Sequence, residues 1–288
     1  MRIDLHTHST VSDGTDSPTR LVMRAAYAGL AVVGLTDHDT FDGLGEAMAA
    51  GPRFGVKVLP GLEVSCQLGD HEIHLLGYGC RRDDANLLAE LELLRNSRTG
   101  RLLRMVEALR AAGIGITLED VRTAASGAST IGRPHVADAM IARGYVADRD
   151  EAFRDWLNEG RPGFVRRYSC DLTQAVDLVH GAGGAAVLAH PWARGADAVL
   201  TPDTIAALTH EHQLEGIEVD HPDHTPEQRS LLFDLGGRLG LIRTGSSDYH
   251  GSGKKDHELG CETTRETAYR ELCTRIQMRG GLLWRSAV

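Results

Sequence analysis

The chain has 288 residues, with 31 Lys plus Arg against 40 Asp plus Glu, a formal net charge of −9. That length can bury a full α/β core, alone or carrying an inserted unit, and the acidic balance argues against a broad, nonspecific grip on duplex DNA. No apolar stretch approaches the ~20 residues a bilayer helix requires, so no membrane partner is expected. Met1-Arg2-Ile3-Asp4 enters a strand without a signal-peptide pattern, and the expected location is cytoplasmic.

The first 80 residues alternate strand and helix. Strand 2–5 is followed by helix 18–28 ending at Gly29, the valine-rich strand 31–35, a short helix 44–50 and strand 56–62. That order implies parallel strands. Gly69-Asp70 then separates Glu63-Val64-Ser65-Cys66 from Glu72-Ile73-His74-Leu75, the composition of a tight hairpin that brings Glu63 and His74 to one end.

From 81 to 161 the pattern becomes helical, with helices at 86–112, 118–125, 134–143 and 151–158, and reads as an inserted unit over the substrate side. Alternation resumes over 162–288 with helix 172–180, strand 185–189, helix 203–209, strand 216–219, helix 226–239 and strand 241–244. Domain boundaries therefore fall at 1–80, 81–161 and 162–288. Cys66, Cys80, Cys170, Cys261 and Cys273 are odd in number and scattered, and most of them read as ordinary buried thiols.

Three clusters of imidazoles and acids each follow an apolar strand: Asp4-Leu5-His6-Thr7-His8, Thr36-Asp37-His38-Asp39-Thr40 and Ser246-Ser247-Asp248-Tyr249-His250. Parallel strands in one barrel share a face at their carboxyl ends, where ligands distant in sequence converge. His6 and His8 stand two apart on extended chain and so point to one side. Asp13 lies in a Ser12-Asp13-Gly14 turn that can reach back to the same mouth. Glu63 ends a strand, and its two oxygens suit a bridge between two cations. His74, between Ile73 and Leu75, reads as a ligand through its pairing with Glu63, the alternative being a core histidine. His135 in Gly132-Arg133-Pro134-His135 opens a helix of the insertion. His190 and His221 follow strand ends, whereas His71, His180, His210, His212 and His257 read as solvated or structural.

The segments Asp-Leu-His-Thr-His-Ser, Thr-Asp-His-Asp, Glu63 with His74, Gly-Arg-Pro-His, Ala-His-Pro and Ser-Asp-Tyr-His occur in an order that resembles the PHP (polymerase and histidinol phosphatase) superfamily. The resemblance covers nearly the whole chain. It implies a distorted (β/α)7 barrel with a helical insertion and a centre of three divalent ions, of manganese, iron, zinc or magnesium. Carried over by residue, it implies one ion on His6, His8, Glu63 and Asp248, a second on Glu63, His74 and His135, and a third on Asp13, His38 and His250. The Gly-Arg-Pro-His and His-Pro-Asp-His segments resemble the branch acting on nucleoside 3′,5′-bisphosphates and short RNA 5′ ends. The implied activity is a phosphatase removing the 3′ phosphate of such nucleotides; a 5′ to 3′ exoribonuclease or a histidinol-phosphate-type phosphatase are the alternatives.

His190 or His221 is the expected proton donor to the departing ribose oxygen. Arg95, Arg98, Arg101 and Arg104 recur every third residue, and Arg133 adjoins His135. Arg98, Arg101 and Arg133 are therefore expected to bind the phosphate that is not cleaved, with Asp13 and His38 also touching substrate.

Overall fold

The computed structural model describes residues 1–126, 128, 131–166 and 168–283. Strands β1 (Ile3–Asp4), β2 (Val32–Leu35) and β3 (Lys57–Leu68) pair in parallel, with helices α1 (Pro18–Tyr27) and α2 (Leu44–Phe54) between them. Ser17 caps α1 and Pro18 opens it, where a missing N–H costs nothing. β4 (His71–Tyr78) turns back along β3 through Gly69 and Asp70. Next come α3 (Ala85–Ala111), α4 (Leu118–Ala125), α5 (Arg133–Ala142) and α6 (Arg149–Ala152), the last running into a π-helical turn, Phe153–Leu157. The chain closes with β5 (Cys170–Asp171), α7 (Leu172–Gly181), β6 (Ala185–Leu188), α8 (Pro202–Glu211), β7 (Gly216–Asp220), α9 (Pro226–Leu239), β8 (Ile242–Gly245) and α10 (Glu266–Met278).

Around the sheet the strands run β1-β2-β3-β4-β6-β7-β8, with β5 paired to β3 beside that path. The sheet is a nearly closed barrel of mostly parallel strands, β4 alone on the path being antiparallel to both neighbours. Its ends are tied by His8 N donating to the Tyr249 carbonyl at 2.8 Å and Thr264 N donating to the Ile3 carbonyl at 2.8 Å.

Side chains alternate across a strand, and here that alternation builds the site. Leu62, Val64 and Cys66 of β3, Ile73 and Leu75 of β4, and Ile217 and Val219 of β7 share an outer core with α3, α7, α8 and α9. The intervening Glu63, His74 and Glu218 therefore face inward, above the barrel floor of Ile3, Val32, Leu59, Leu76, Tyr78 and Val187. The inserted helices carry an apolar cluster of their own, including Leu102, Met105, Leu109, Val121, Val136, Met140 and Leu157.

Several elements differ from expectation for identifiable reasons. The run 56–62 and the first hairpin arm are one twelve-residue strand, because Pro60 sits at the last parallel pairing with Leu35, where its missing N–H interrupts nothing. α2 runs past 50, carries Pro52 within its last turns and stops at Gly55, whose φ of +68° suits a residue without Cβ. β5 and α10 were not anticipated. Cys66, Cys80 and Cys170 are buried thiols, but Cys261 is exposed and Cys273 half-buried. Among the described residues no helix is long and apolar enough to cross a membrane.

Candidate active site

The strand ends gather four donors into one cage. His6 Nε2 lies 3.3 Å from both Glu63 Oε2 and Asp248 Oδ1, His8 Nε2 lies 3.1 and 3.3 Å from the same two atoms, and the two Nε2 atoms are 3.1 Å apart. Such separations are those of ligands around an ion bound at about 2 Å. Glu63 Oε1 faces elsewhere, 2.7 Å from His74 Nδ1 and 3.2 Å from His190 Nε2. Beside the cage, Asp13 Oδ1 lies 3.2 Å from His250 Nε2, and His38 spans Asp13 Oδ2 at 3.7 Å and Glu63 Oε2 at 3.1 Å.

Tautomers show what these contacts require. His6 Nδ1 donates to Glu218 at 3.3 Å, and His250 Nδ1 donates to the Asp248 carbonyl at 2.8 Å. In the neutral rings each Nε2 then presents a lone pair toward a carboxylate oxygen, an arrangement that repels unless a cation or proton stands between. The donor set of imidazoles and carboxylates suits manganese, iron or zinc.

The charges respond accordingly. Burial opposes charging of His6, yet Asp248, Glu63 and Glu218 raise it well above its ordinary value; against the same burial, Asp248 and Glu63 push His8 up to about 10. A proton there does the work of a cation. Burial drives His38 and His190 down to about 3 and also lowers His250, leaving neutral rings. Glu63, despite its burial, is held well below the usual carboxylate range by His38, His74 and His6.

Backbone strain and a tight turn support the cage. Asp39, His190 and Asp248 adopt φ of +55°, +30° and +51°, a region residues with a Cβ rarely enter, and which persists where surrounding contacts enforce it. Gly14 allows the Asp13 turn, since a Cβ there would lie 2.3 Å from the His8 carbonyl oxygen.

The PHP domain family matches residues 4–116. A 3′,5′-nucleoside bisphosphate phosphatase of Chromobacterium violaceum is 36% identical over 261 residues, 90% of this chain and 90% of that protein. The chain belongs to the PHP family. A 5′-3′ exoribonuclease of Haemophilus influenzae is 32% identical, over 86% of this chain and 90% of its own. A solved structure from Bifidobacterium adolescentis, described as a metal-dependent phosphoesterase, superposes with a TM-score of 0.90 at 34% identity, covering 95% of this chain and 96% of that one. This PHP protein is a metal-dependent phosphoesterase.

The PHP cage opens into a cavity of about 760 Å³ whose walls include Asp13, His38, Glu63, His74, His190, Asp248 and His250. Arg98, Arg101 and Arg133 line it too. Arg98 is already engaged, donating to Asp39 Oδ2 at 2.6 and 2.9 Å and to Ser65 Oγ at 2.6 Å, so its guanidinium braces the wall. Arg101 lies 3.7 Å from Glu72, Arg133 donates to Glu72, and both guanidiniums lie over the ring of Phe164.

Two histidines stand differently from expectation. His135 Nδ1 accepts a hydrogen bond from Gly132 N at 3.1 Å, so its neutral ring carries a proton on Nε2 and offers no lone pair there; His190 stands against Glu63 Oε1 instead. His221 Nδ1 accepts from Asp223 N at 3.1 Å, and its Nε2 lies 3.5 Å from Asp248 Oδ2, fully buried behind the cage and off the cavity wall. In that place it does not line the cavity.

Glu218 escaped the sequence reading. Besides holding His6, it accepts from His190 N at 2.8 Å, and the available signal was an acid between two buried apolar residues, Ile217 and Val219. Glu218→Gln should weaken metal affinity by about 10- to 100-fold, the usual cost of losing a carboxylate behind a ligating imidazole. Metal titration by calorimetry reads this directly, and unchanged affinity would refute the orienting role.

Proposed function

We propose that this PHP enzyme releases the 3′ phosphate of nucleoside 3′,5′-bisphosphates, giving the nucleoside 5′-monophosphate and inorganic phosphate. The observation that carries the reading is that one cavity is lined both by the Glu63-centred cage and by Arg101, Arg133 and Phe164, a combination suited to a ligand with two anionic groups. The Chromobacterium relative is named for that activity. His6, His8, Glu63 and Asp248 would hold one divalent cation, Glu63, His74 and His190 a second, and Asp13, His38 and His250 a third, manganese being the first candidate. Such ions, when bound, neutralise phosphoryl oxygens and lower the pKa of a coordinated water to about 7.

The remaining work belongs to the chain. Glu218 fixes the His6 tautomer, and Arg133 exchanges Glu72 for the uncleaved phosphate, whose oxygens a guanidinium fork matches. Arg133→Ala should raise KM about 10- to 100-fold for adenosine 3′,5′-bisphosphate, the worth of one charge-assisted contact, while changing KM for p-nitrophenyl phosphate little. Equal effects on both would refute the assignment.

A second reading, exonucleolytic trimming of short 5′-phosphorylated RNA, is supported by the Haemophilus relative and by a cavity whose lining also includes Asn158 and Arg166. Incubation with adenosine bisphosphate and with a 5′-phosphorylated oligoribonucleotide separates the two: inorganic phosphate supports the first reading, mononucleotides the second.

A further inference from the structure

Lys254 follows the short 3-10 turn Gly251–Gly253, just beyond His250. Its Nζ lies 2.7 Å from Asp248 Oδ2 and 3.1 Å from Asp223 Oδ2, and its side chain lines the cavity. The other Asp248 oxygen belongs to the His6 and His8 cage, so the ammonium stands one carboxylate away from it.

This position is built. Asp223 Oδ1 lies 3.2 Å from Nε2 of His257, a buried ring whose Nδ1 donates to the Lys255 carbonyl at 2.6 Å. The Gly253 carbonyl accepts from Arg149 at 3.3 Å, which ties the preceding turn to α6. His257, read from sequence as solvated or structural, is thus a buried neighbour of the carboxylate that holds the lysine. An ammonium has three N–H donors; two go to Asp248 and Asp223, and the third is left for the cavity.

We propose that Lys254 grips a nonbridging oxygen of the phosphate that is cleaved, and that Asp223 is its positioning residue. The inference rests on the phosphomonoesterase reading and deepens it: Arg133 serves the distal phosphate, Lys254 the reacting one. A cation fixed beforehand beside the phosphoryl group needs no reorganisation as charge develops.

Lys254→Met, prepared metal-loaded in the full chain, tests this. Inorganic phosphate titrated into it by calorimetry should bind about 10- to 100-fold more weakly than to the parent, with metal content by elemental analysis unchanged. kcat/KM should fall by about 10²- to 10³-fold, alike for adenosine bisphosphate and p-nitrophenyl phosphate, and Lys254→Arg should recover part of it. In the Lys254→Met background, Asp223→Asn should weaken phosphate binding no further. Unchanged phosphate affinity, or a loss that tracks lost metal, overturns the proposal; a further additive loss overturns the positioning role of Asp223. Phosphate titration reads the contact even if the parent cleaves neither ester, so failure of the phosphatase reading is a separate result.

Discussion

Glu63→Gln should reduce turnover by at least about 10³-fold, the scale at which a multi-ion site loses its charge stabilisation, and should lower bound metal per chain. Glu63 is central because its oxygens are divided: Oε2 faces His6, His8 and His38, while Oε1 faces His74 and His190. Glutamine has nearly the same shape but is uncharged, and one end becomes an N–H donor aimed at imidazoles that offer lone pairs. Circular dichroism should show the fold retained, since β3 keeps its backbone pairing with β2 and β4. A variant that retains full metal content and turnover would mean that the acid does not join two ions.

Removing the metal should abolish turnover, with recovery on adding manganese back, and should make stability depend on pH in the alkaline range. In the metal-free protein His8 is pushed up to about 10 by Asp248 and Glu63 against the cost of burial, while in the unfolded chain it titrates near 6.5. A raised folded-state value contributes stability that is complete below about pH 6.5 and is lost as pH rises through about 10. The metal-free protein should therefore lose roughly 5 to 10 °C of Tm between pH 7 and 10, a loss that bound metal abolishes because ligating rings must be neutral. Binding at pH 7.5 should also release at least one proton, read as a dependence of calorimetric heat on buffer ionisation enthalpy. A proton-neutral binding, or a flat Tm in the metal-free protein, would contradict the arrangement.

The convergence of His6, His8, His38, Asp248 and His250 was legible because each follows an apolar strand and parallel strands end on one face. Glu63 with His74 was legible because a Gly-Asp turn sets the hairpin. His190 and His135 were harder to tell apart, since both open segments after recognisable signals; only the hydrogen bond from Gly132 N shows which ring nitrogen of His135 is occupied. His221 follows a strand end as the others do, but the Asp223 N–H turns its ring behind Asp248. The Arg stripe was visible, yet partners decide its meaning: Arg98 is committed to Asp39 while Arg101 and Arg133 face Glu72. α10 was hidden because its Glu266-Arg270 and Glu271-Arg275 pairs dominate the pattern, leaving only Leu272 and Ile276 to show its buried side.

The helices over the barrel pack on their own apolar cluster and reach the cage through polar tethers, Arg98 on Asp39 and Arg149 on the Asp13 carbonyl. In the reading proposed above, the cage comes from the barrel strand ends while two of the substrate-facing arginines, Arg101 and Arg133, come from these helices. A substitution at Arg98 or Arg149 would therefore reach the rim through its tether, whereas one at Arg101 or Arg133 would act on the Glu72 side of the cavity.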